Sequence, residues 1–382
     1  MNSTPFFFVT SQVGAEPIIK SEVARQIPEA RLAFSRPGFL SFKTPFEFSS
    51  ETTAEDFSFK SPFARAWGFS LKTLRGTNDE ELIPQVWQLV EGTPFDRIHV
   101  WGRDLHPIGD YKFEPRLTHE AHDLAWRLSQ NYPTETLWRY GQELPARKGD
   151  LVLDCILLNP LPPDMTREFV ERRAARDGES PTPRTLEWAI GFHRVGGFAS
   201  ALPGGMLDLQ VPEGVVSRAW LKMEEALRWS RFPMRDGARV CEIGSAPGGA
   251  TQALLARGCR VIGIDPAEMA PAVLENPDFR HIRSRIAFVK RSEFRKTRWL
   301  TCDINVPPNY TLDVVESIVM HSEVRIRGML LTLKFPDWNM GFEVRDYLNR
   351  IKSWGFNIVR ARQLHYSHQE ICVACLKKPF RK

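Results

Sequence analysis

The sequence lacks the features that would commit it to a membrane or to a disulfide framework. No segment approaches the ~20 consecutive apolar residues of a membrane span. The N-terminal MNSTPFFFVT has no basic region, and its apolar run is too brief for a secretory signal. Six cysteines scattered over 382 residues do not make a disulfide-stapled scaffold. Cys372 and Cys375 form a lone CxxC, but they lie in the alternating run ICVACL, which reads as a strand in preference to a metal or redox pair. No convincing metal-ligand cluster stands out elsewhere. A strong excess of one charge is also missing: the net charge is +5 and the pI about 8.9, mildly basic and only weak evidence for a nucleic-acid partner. Together these absences predict a reducing, cytoplasmic setting.

What is present is enough chain for two or three domains, organised around residues 239–265, RVCEIGSAPGGATQALLARGCRVIGID. The apolar run Val240–Ile243 breaks at Gly244-Ser245-Ala246-Pro247-Gly248-Gly249. A helical stretch follows from Thr251 to Arg257 and closes on Gly258. A second apolar run, Val261–Ile264, ends on Asp265. This is a βαβ unit, whose crossover should be right-handed. Its glycines permit positive φ and close approach to a ligand. An acid at the tip of the second strand is the usual acceptor for ribose hydroxyls. The spacing is not the GxGxxG of dinucleotide sites, and Pro247 removes one N–H donor from the turn. A turn with few phosphate-facing donors suits a nucleoside without phosphates, such as S-adenosylmethionine (SAM). Read without a ligand, the string is an ordinary strand-to-helix turn.

Around this unit the pattern is α/β. Strand, helix and two strands are expected over Phe6–Thr10, Glu16–Ile27 and Arg31–Lys43, the last pair turning at Arg36-Pro37-Gly38. In Ser61–Leu71, aromatics are mixed with Arg65, a composition that can stack on bases. Core aromatics with one surface arginine are the plainer reading. Further elements are expected over Asp79–Leu89, Arg97–Trp101, Thr118–Gln130, Leu151–Leu158 and Leu186–Val195, with a solvated, charge-dense stretch over Thr166–Arg184. Pro203-Gly204-Gly205 and Pro212-Glu213-Gly214 mark a break between halves. Residues 1–204 are thus expected to form an N-terminal α/β region, with a division into two modules near residue 76 as an option, and residues 205–382 a second domain. After the break Ser217 is placed to cap a helix running to Trp229, with Trp220, Met223 and Leu227 on one face and Lys222 off it. Residues 280–298 carry eight basic side chains against the single acid Glu293. They suit phosphate contact and a solvated surface equally.

In an open α/β sheet the ligand crevice lies at the carboxyl ends of the parallel strands. Asp265, Asp303 and Lys334 are expected at such ends. The tight connection before the last strand makes it antiparallel, which brings its first residue, Glu370, to the same rim. Lys334 ends the apolar strand GMLLTLKF, so its ammonium should be partly desolvated. A lysine so placed suits a general base. A rim lysine bridged to Asp303 is the alternative.

Lys222, Asp303, Lys334 and Glu370 resemble the Lys-Asp-Lys-Glu tetrad of the FtsJ-like SAM-dependent RNA ribose 2′-O-methyltransferases. The resemblance is carried by SRAWLKMEEAL, EIGSAPGGATQAL, the CD pair at Asp303, LTLKFP and HQEICV. It covers about the last 170 residues. It implies a Rossmann-like methyltransferase sheet with a final antiparallel strand, behind an N-terminal THUMP-like RNA-binding region. It further implies that Ser217, Gly244, Ser245, Ala246, Pro247, Gly248, Gly249, Asp265 and Asp303 hold SAM. Lys334 would take the proton of a ribose 2′-OH, with Lys222 and Glu370 orienting it, and no metal would be needed. The implied partner is RNA: large-subunit ribosomal RNA or an assembling ribosomal particle first, transfer RNA or another RNA next. A non-catalytic RNA-binding or ribosome-assembly protein is the rival from another class. In one respect the sequence departs from the pattern: relatives carry an acid near the third strand, where this chain has His281-Ile282-Arg283-Ser284-Arg285.

Overall fold

The computed structural model describes residues 3–53, 55–106, 116–131, 145–162, 165 and 184–377. Most of the charge-dense stretch expected over Thr166–Arg184 lies outside these residues. The chain divides into two compact units, Met1–Asp208 and Leu209–Lys382.

The first unit runs β1 (Thr4–Thr10), α1 (Glu16–Gln26), β2 (Arg31–Arg36), β3 (Phe39–Phe48), β4 (Ala66–Gly76), α2 (Asp79–Leu89), β5 (Arg97–Gly102), α3 (His119–Gln130), β6 (Leu151–Leu157) and β7 (Leu186–Arg194). The helix starts follow local chemistry. Asn78 accepts the Glu81 N–H ahead of α2, and Thr118 accepts the Ala121 N–H ahead of α3, as expected of Asn and Thr N-caps. The strands form one sheet in the order β2-β3-β1-β4-β7-β6-β5. Residue 76 is the last of β4, and β4 pairs along its length with β7, so the sheet continues across the position where two modules could have divided. Phe8, Phe39, Trp101, Ile156, Leu158 and Ala189 form one apolar cluster. The plainer reading of Ser61–Leu71 holds only for the aromatics: Phe63 is fully buried, but Arg65 is buried too and pairs with Asp104 at 3.1 Å. It is neither a surface arginine nor a base-stacking one.

The second unit runs α4 (Ala219–Ser230), β8 (Arg239–Ile243), α5 (Gly249–Leu255), β9 (Arg260–Ile264), α6 (Pro271–Leu274), β10 (Phe279–Ile282), β11 (Trp299–Cys302), α7 (Pro308–Val319), β12 (Gly328–Lys334), α8 (Val344–Ser353), β13 (Ile358–Arg362) and β14 (Glu370–Leu376). The sheet order is β10-β9-β8-β11-β12-β14-β13. The first five strands are mutually parallel, and β14 is antiparallel to both β12 and β13. This is a Rossmann-like parallel sheet with a final antiparallel strand. β12 has a parallel neighbour on one side and an antiparallel one on the other, yet all but two of its residues are buried, consistent with its unbroken apolar run. Cys372 and Cys375 are buried residues of β14.

Two local expectations need correction. Ser217 does not cap α4: the helix begins at Ala219 after Arg218, and the Trp220 N–H bonds the Ser217 backbone carbonyl in a preceding turn. The sequence after the βαβ unit predicts a helix from about Ala267 to Leu274, but only the four residues of α6 are helical, because Pro266 and Pro271 lack N–H donors and only Pro271 occupies the tolerated first position.

Candidate active site

The βαβ turn is built on close approaches that exclude a side chain. Gly244 has φ +83°, and a Cβ there would lie 2.4 Å from the Asp303 carbonyl oxygen. A Cβ on Gly249 would lie 2.2 Å from Ser217 Oγ. These two glycines therefore seat the β8 turn against the end of β11 and against the entry to α4. Ser245 Oγ lies 3.5 Å from Met269 Sδ, and the Pro247 carbonyl accepts the Ala270 N–H. Gly248, at φ +119°, starts α5. Asp265, just beyond β9, accepts the Ala246 N–H at 3.2 Å and the Ala267 N–H at 2.8 Å. All the residues expected from the sequence to hold a nucleoside thus fall on one stretch of rim.

The four ionisable residues converge beside it. Lys334 and Glu370 are direct cross-strand partners at the end of β12 and the start of β14. Asp303 follows β11, whose last residue pairs with Leu331 of β12. Lys222 comes from α4. Lys334 Nζ lies 2.9 Å from Asp303 Oδ1, and Lys222 Nζ lies 2.6 Å from Glu370 Oε1 and 3.8 Å from Asp303 Oδ2. Two lysine Nζ atoms therefore share one carboxylate, and a second carboxylate anchors one of them. Burial works against charge on Lys222, but Glu370 and Asp303 outweigh it and hold its pKa above the usual 10.5. Lys222 is the fixed cation of the group. Lys334 is about as exposed as Lys222, 24% against 23%, and differs in pairing with one carboxylate, Asp303, where Lys222 has two.

Three further groups around the site did not stand out in the sequence. Glu225, one turn beyond Lys222 on α4, is buried and accepts the backbone N–H groups of His365 and Tyr366 at 3.0 Å each. Burial would raise its pKa, but these bonds and the adjacent His365 ring hold it below the usual value. One helix thus carries Lys222 and also grips the connection leading to Glu370. The only sequence signal was the i, i+3 spacing within LKMEE. Glu242 is an acid inside an apolar strand; burial pushes its pKa up to about 8 despite the hydrogen bond from Thr251 Oγ1 at 2.5 Å. Thr301 lines, with Lys222, Glu242, Asp303, Ser367 and others, a small cavity of about 30 Å³.

Two oxygens bear on the fit of a nucleoside cofactor. Ser217 Oγ and Thr301 Oγ1 are buried with no hydrogen-bond partner, one against the Gly249 turn and the other in the cavity wall. Buried hydroxyls without partners are costly, and a polar ligand on the rim would satisfy them. Of the eight basic side chains in residues 280–298, three pair with acids: Arg280 with Glu293, Arg283 with Glu268 and Arg295 with Glu323. His281 Nε2 meets the Asp265 backbone carbonyl at 3.1 Å.

Sheet order, glycine turn and ionisable cluster all lie in the second unit, and that is where the family match falls. Residues 215–346 match the family described as FtsJ-like methyltransferase. The chain is similar to the protein named ribosomal RNA large subunit methyltransferase M of Azotobacter vinelandii, with 31% identity over 247 residues, 61% of this chain and 64% of that protein. It is similar to the protein of the same name in Tolumonas auensis, with 29% identity over 180 residues, 44% of this chain and 48% of that protein. The chain therefore spans about half to under two thirds of the length of these relatives. Among solved structures, TrmN from Thermus thermophilus aligns over 98% of this chain and 99% of its own, at 12% identity and a TM-score of 0.33.

Proposed function

We propose that the protein is a SAM-dependent RNA ribose 2′-O-methyltransferase whose substrate is large-subunit ribosomal RNA, free or in an assembling particle. The observation that carries this reading is the single cluster of Lys222, Asp303, Lys334 and Glu370 beside the β8 turn. The names of the relatives favour the ribosomal substrate. A place in the cytoplasm goes with that substrate; among the described residues no helix is long and apolar enough to cross a membrane. Residues 1–204 are assigned to RNA binding as a THUMP-like region, and residues 205–382 to catalysis.

Ser217, the turn from Gly244 to Gly249, Asp265 and Asp303 would hold SAM. When bound, SAM supplies a methyl group already electrophilic at its sulfonium. A ribose hydroxyl is a poor nucleophile until its proton has an acceptor, so the protein must supply that acceptor and the alignment. Lys334, as the free amine, takes the 2′-OH proton at Nζ, and Asp303 at 2.9 Å stabilises the ammonium that forms. Lys222 stays protonated and holds Glu370 and Asp303 in register, so these side chains orient the hydroxyl without exchanging protons with it.

The test is methyl transfer from labelled SAM to RNA and ribosomal particles from cells lacking the protein, followed by nucleoside analysis. A 2′-O-methylnucleoside in large-subunit RNA that forms with the wild type and not with Lys334→Ala is expected. The same product in transfer RNA would move the substrate. A base-methylated nucleoside would overturn the mechanism, and no product on any RNA would leave a binding protein.

A further inference from the structure

The first unit holds a polar cluster unrelated to the rim described above. His99 of β5, Asp154 of β6 and His193 of β7 come from three neighbouring strands and are 3%, 0% and 7% exposed. His99 and Asp154 are direct register partners. His193 pairs with Val152, two residues from Asp154 on the same face. One potential ligand atom from each side chain lies within 4.8 Å of the other two. His193 Nδ1 is 2.7 Å from Asp154 Oδ2, and His193 Nε2 is 2.7 Å from the Ser200 carbonyl. Asp154 Oδ1 and His99 Nδ1, both buried, have no hydrogen-bond partner. The nearby cation Arg97, two residues before His99, faces Asp150 at 3.7 Å.

We propose that His99, Asp154 and His193 form a zinc site that staples the β5–β6–β7 edge of the first sheet. Two imidazoles and a carboxylate suit zinc or a similar first-row divalent ion, and not the all-oxygen preference of calcium or magnesium. The Ser200 carbonyl supplies the outer partner that a ligating imidazole takes on its second nitrogen, which leaves Nδ1 for the metal. The two unpartnered atoms are the donors that an ion would engage. Zinc bonds of about 2.0–2.2 Å draw the three side chains together by rotation, and the proton shared between His193 and Asp154 leaves to solvent as the ion takes its place. The position has a structural use. β5 ends the sheet, and its pairing with β6 is parallel where every other pairing among the described strands of that sheet is antiparallel. Parallel pairing is slightly the weaker, and an ion held from three strands strengthens that edge.

The experiment uses the full chain, stripped with chelator and equilibrated with zinc chloride, with bound zinc counted by elemental mass spectrometry and the melting temperature followed in parallel. The wild type should retain one zinc more than His99→Ala or Asp154→Ala, and zinc should raise the melting temperature of the wild type alone. Equal zinc content in wild type and variants, or a melting temperature indifferent to zinc, would overturn the proposal. Should both variants fail to fold, long-range 1H–15N spectra of the wild type decide it. Zinc must shift the ring nitrogens of His99 and His193. Unmoved signals would mean that the cluster encloses water only.

Discussion

At the scale of single residues, the site is a division of labour between two lysines that the sequence makes look alike. Lys222 is held between Glu370 and Asp303, whereas Lys334 pairs with Asp303 alone. Lys334→Ala is therefore expected to lower methyl transfer by about 10²–10⁴-fold, the range of a lost general base, with SAM binding largely kept. Single-turnover transfer and calorimetric SAM titration check both halves, and transfer that survives would sink the base assignment. Lys222→Ala and Glu370→Ala should also be severe, and combining either with Lys334→Ala should cost well short of the sum of the single effects, because the residues form one network. Glu242 offers a pH signature. Its folded pKa, near 8, lies above its unfolded value of 4.5, so the folded state holds a proton that the unfolded state has lost. The stabilisation is complete below the unfolded pKa and drains away as pH rises through the folded one, on the order of a few kcal/mol in all. Glu242→Gln should flatten the fall in urea stability between pH 5 and pH 8. An unchanged slope would place the titration elsewhere.

At the scale of elements, the rim is held by a few close contacts between strands, turns and one helix. Gly244 lets the β8 turn lie against the Asp303 carbonyl at a φ that side chains avoid. Gly244→Ala should cost about 1–3 kcal/mol of backbone strain and displace Asp303. Denaturant unfolding together with SAM titration reads both effects; a stable variant with wild-type SAM affinity would show that the turn is looser than its geometry. The helix α4 acts as a clamp. Its Glu224 pairs with Arg257 just past α5, while Glu225 grips the connection between β13 and β14. Glu225→Gln replaces one acceptor oxygen by an N–H donor facing a backbone N–H. It should lower the transfer rate through Glu370 with little change in the KM for SAM. A loss of stability of about 1–3 kcal/mol should accompany it, the penalty for an unsatisfied buried group. A variant that changes KM alone would show that the clamp serves the cofactor instead.

At the scale of the whole molecule, each unit has its own seven-stranded sheet and its own core. Units built this way fold independently as a rule. Residues 209–382 expressed alone should unfold cooperatively and bind SAM within a few-fold of the full chain. Calorimetry on the full chain should resolve two transitions, and one two-state transition would sink this expectation. Much of this organisation was legible in the sequence. Period-2 and unbroken apolar runs placed nearly every strand, and Asp303, Lys334 and Glu370 were readable as strand-end residues of an α/β sheet. Side-chain identity, strand period and glycine positions are local quantities that one stretch of chain carries by itself, and they determined the strands, the turn and the candidate site residues. The partners were decided only in three dimensions. Ser217 looked like a helix cap and lies against Gly249 instead, Arg65 looked like a surface group and is buried on Asp104, and His99, Asp154 and His193 meet from strands spread over 95 residues. Such contacts depend on sheet order and register, which sum interactions over the whole fold, so no local pattern announces them.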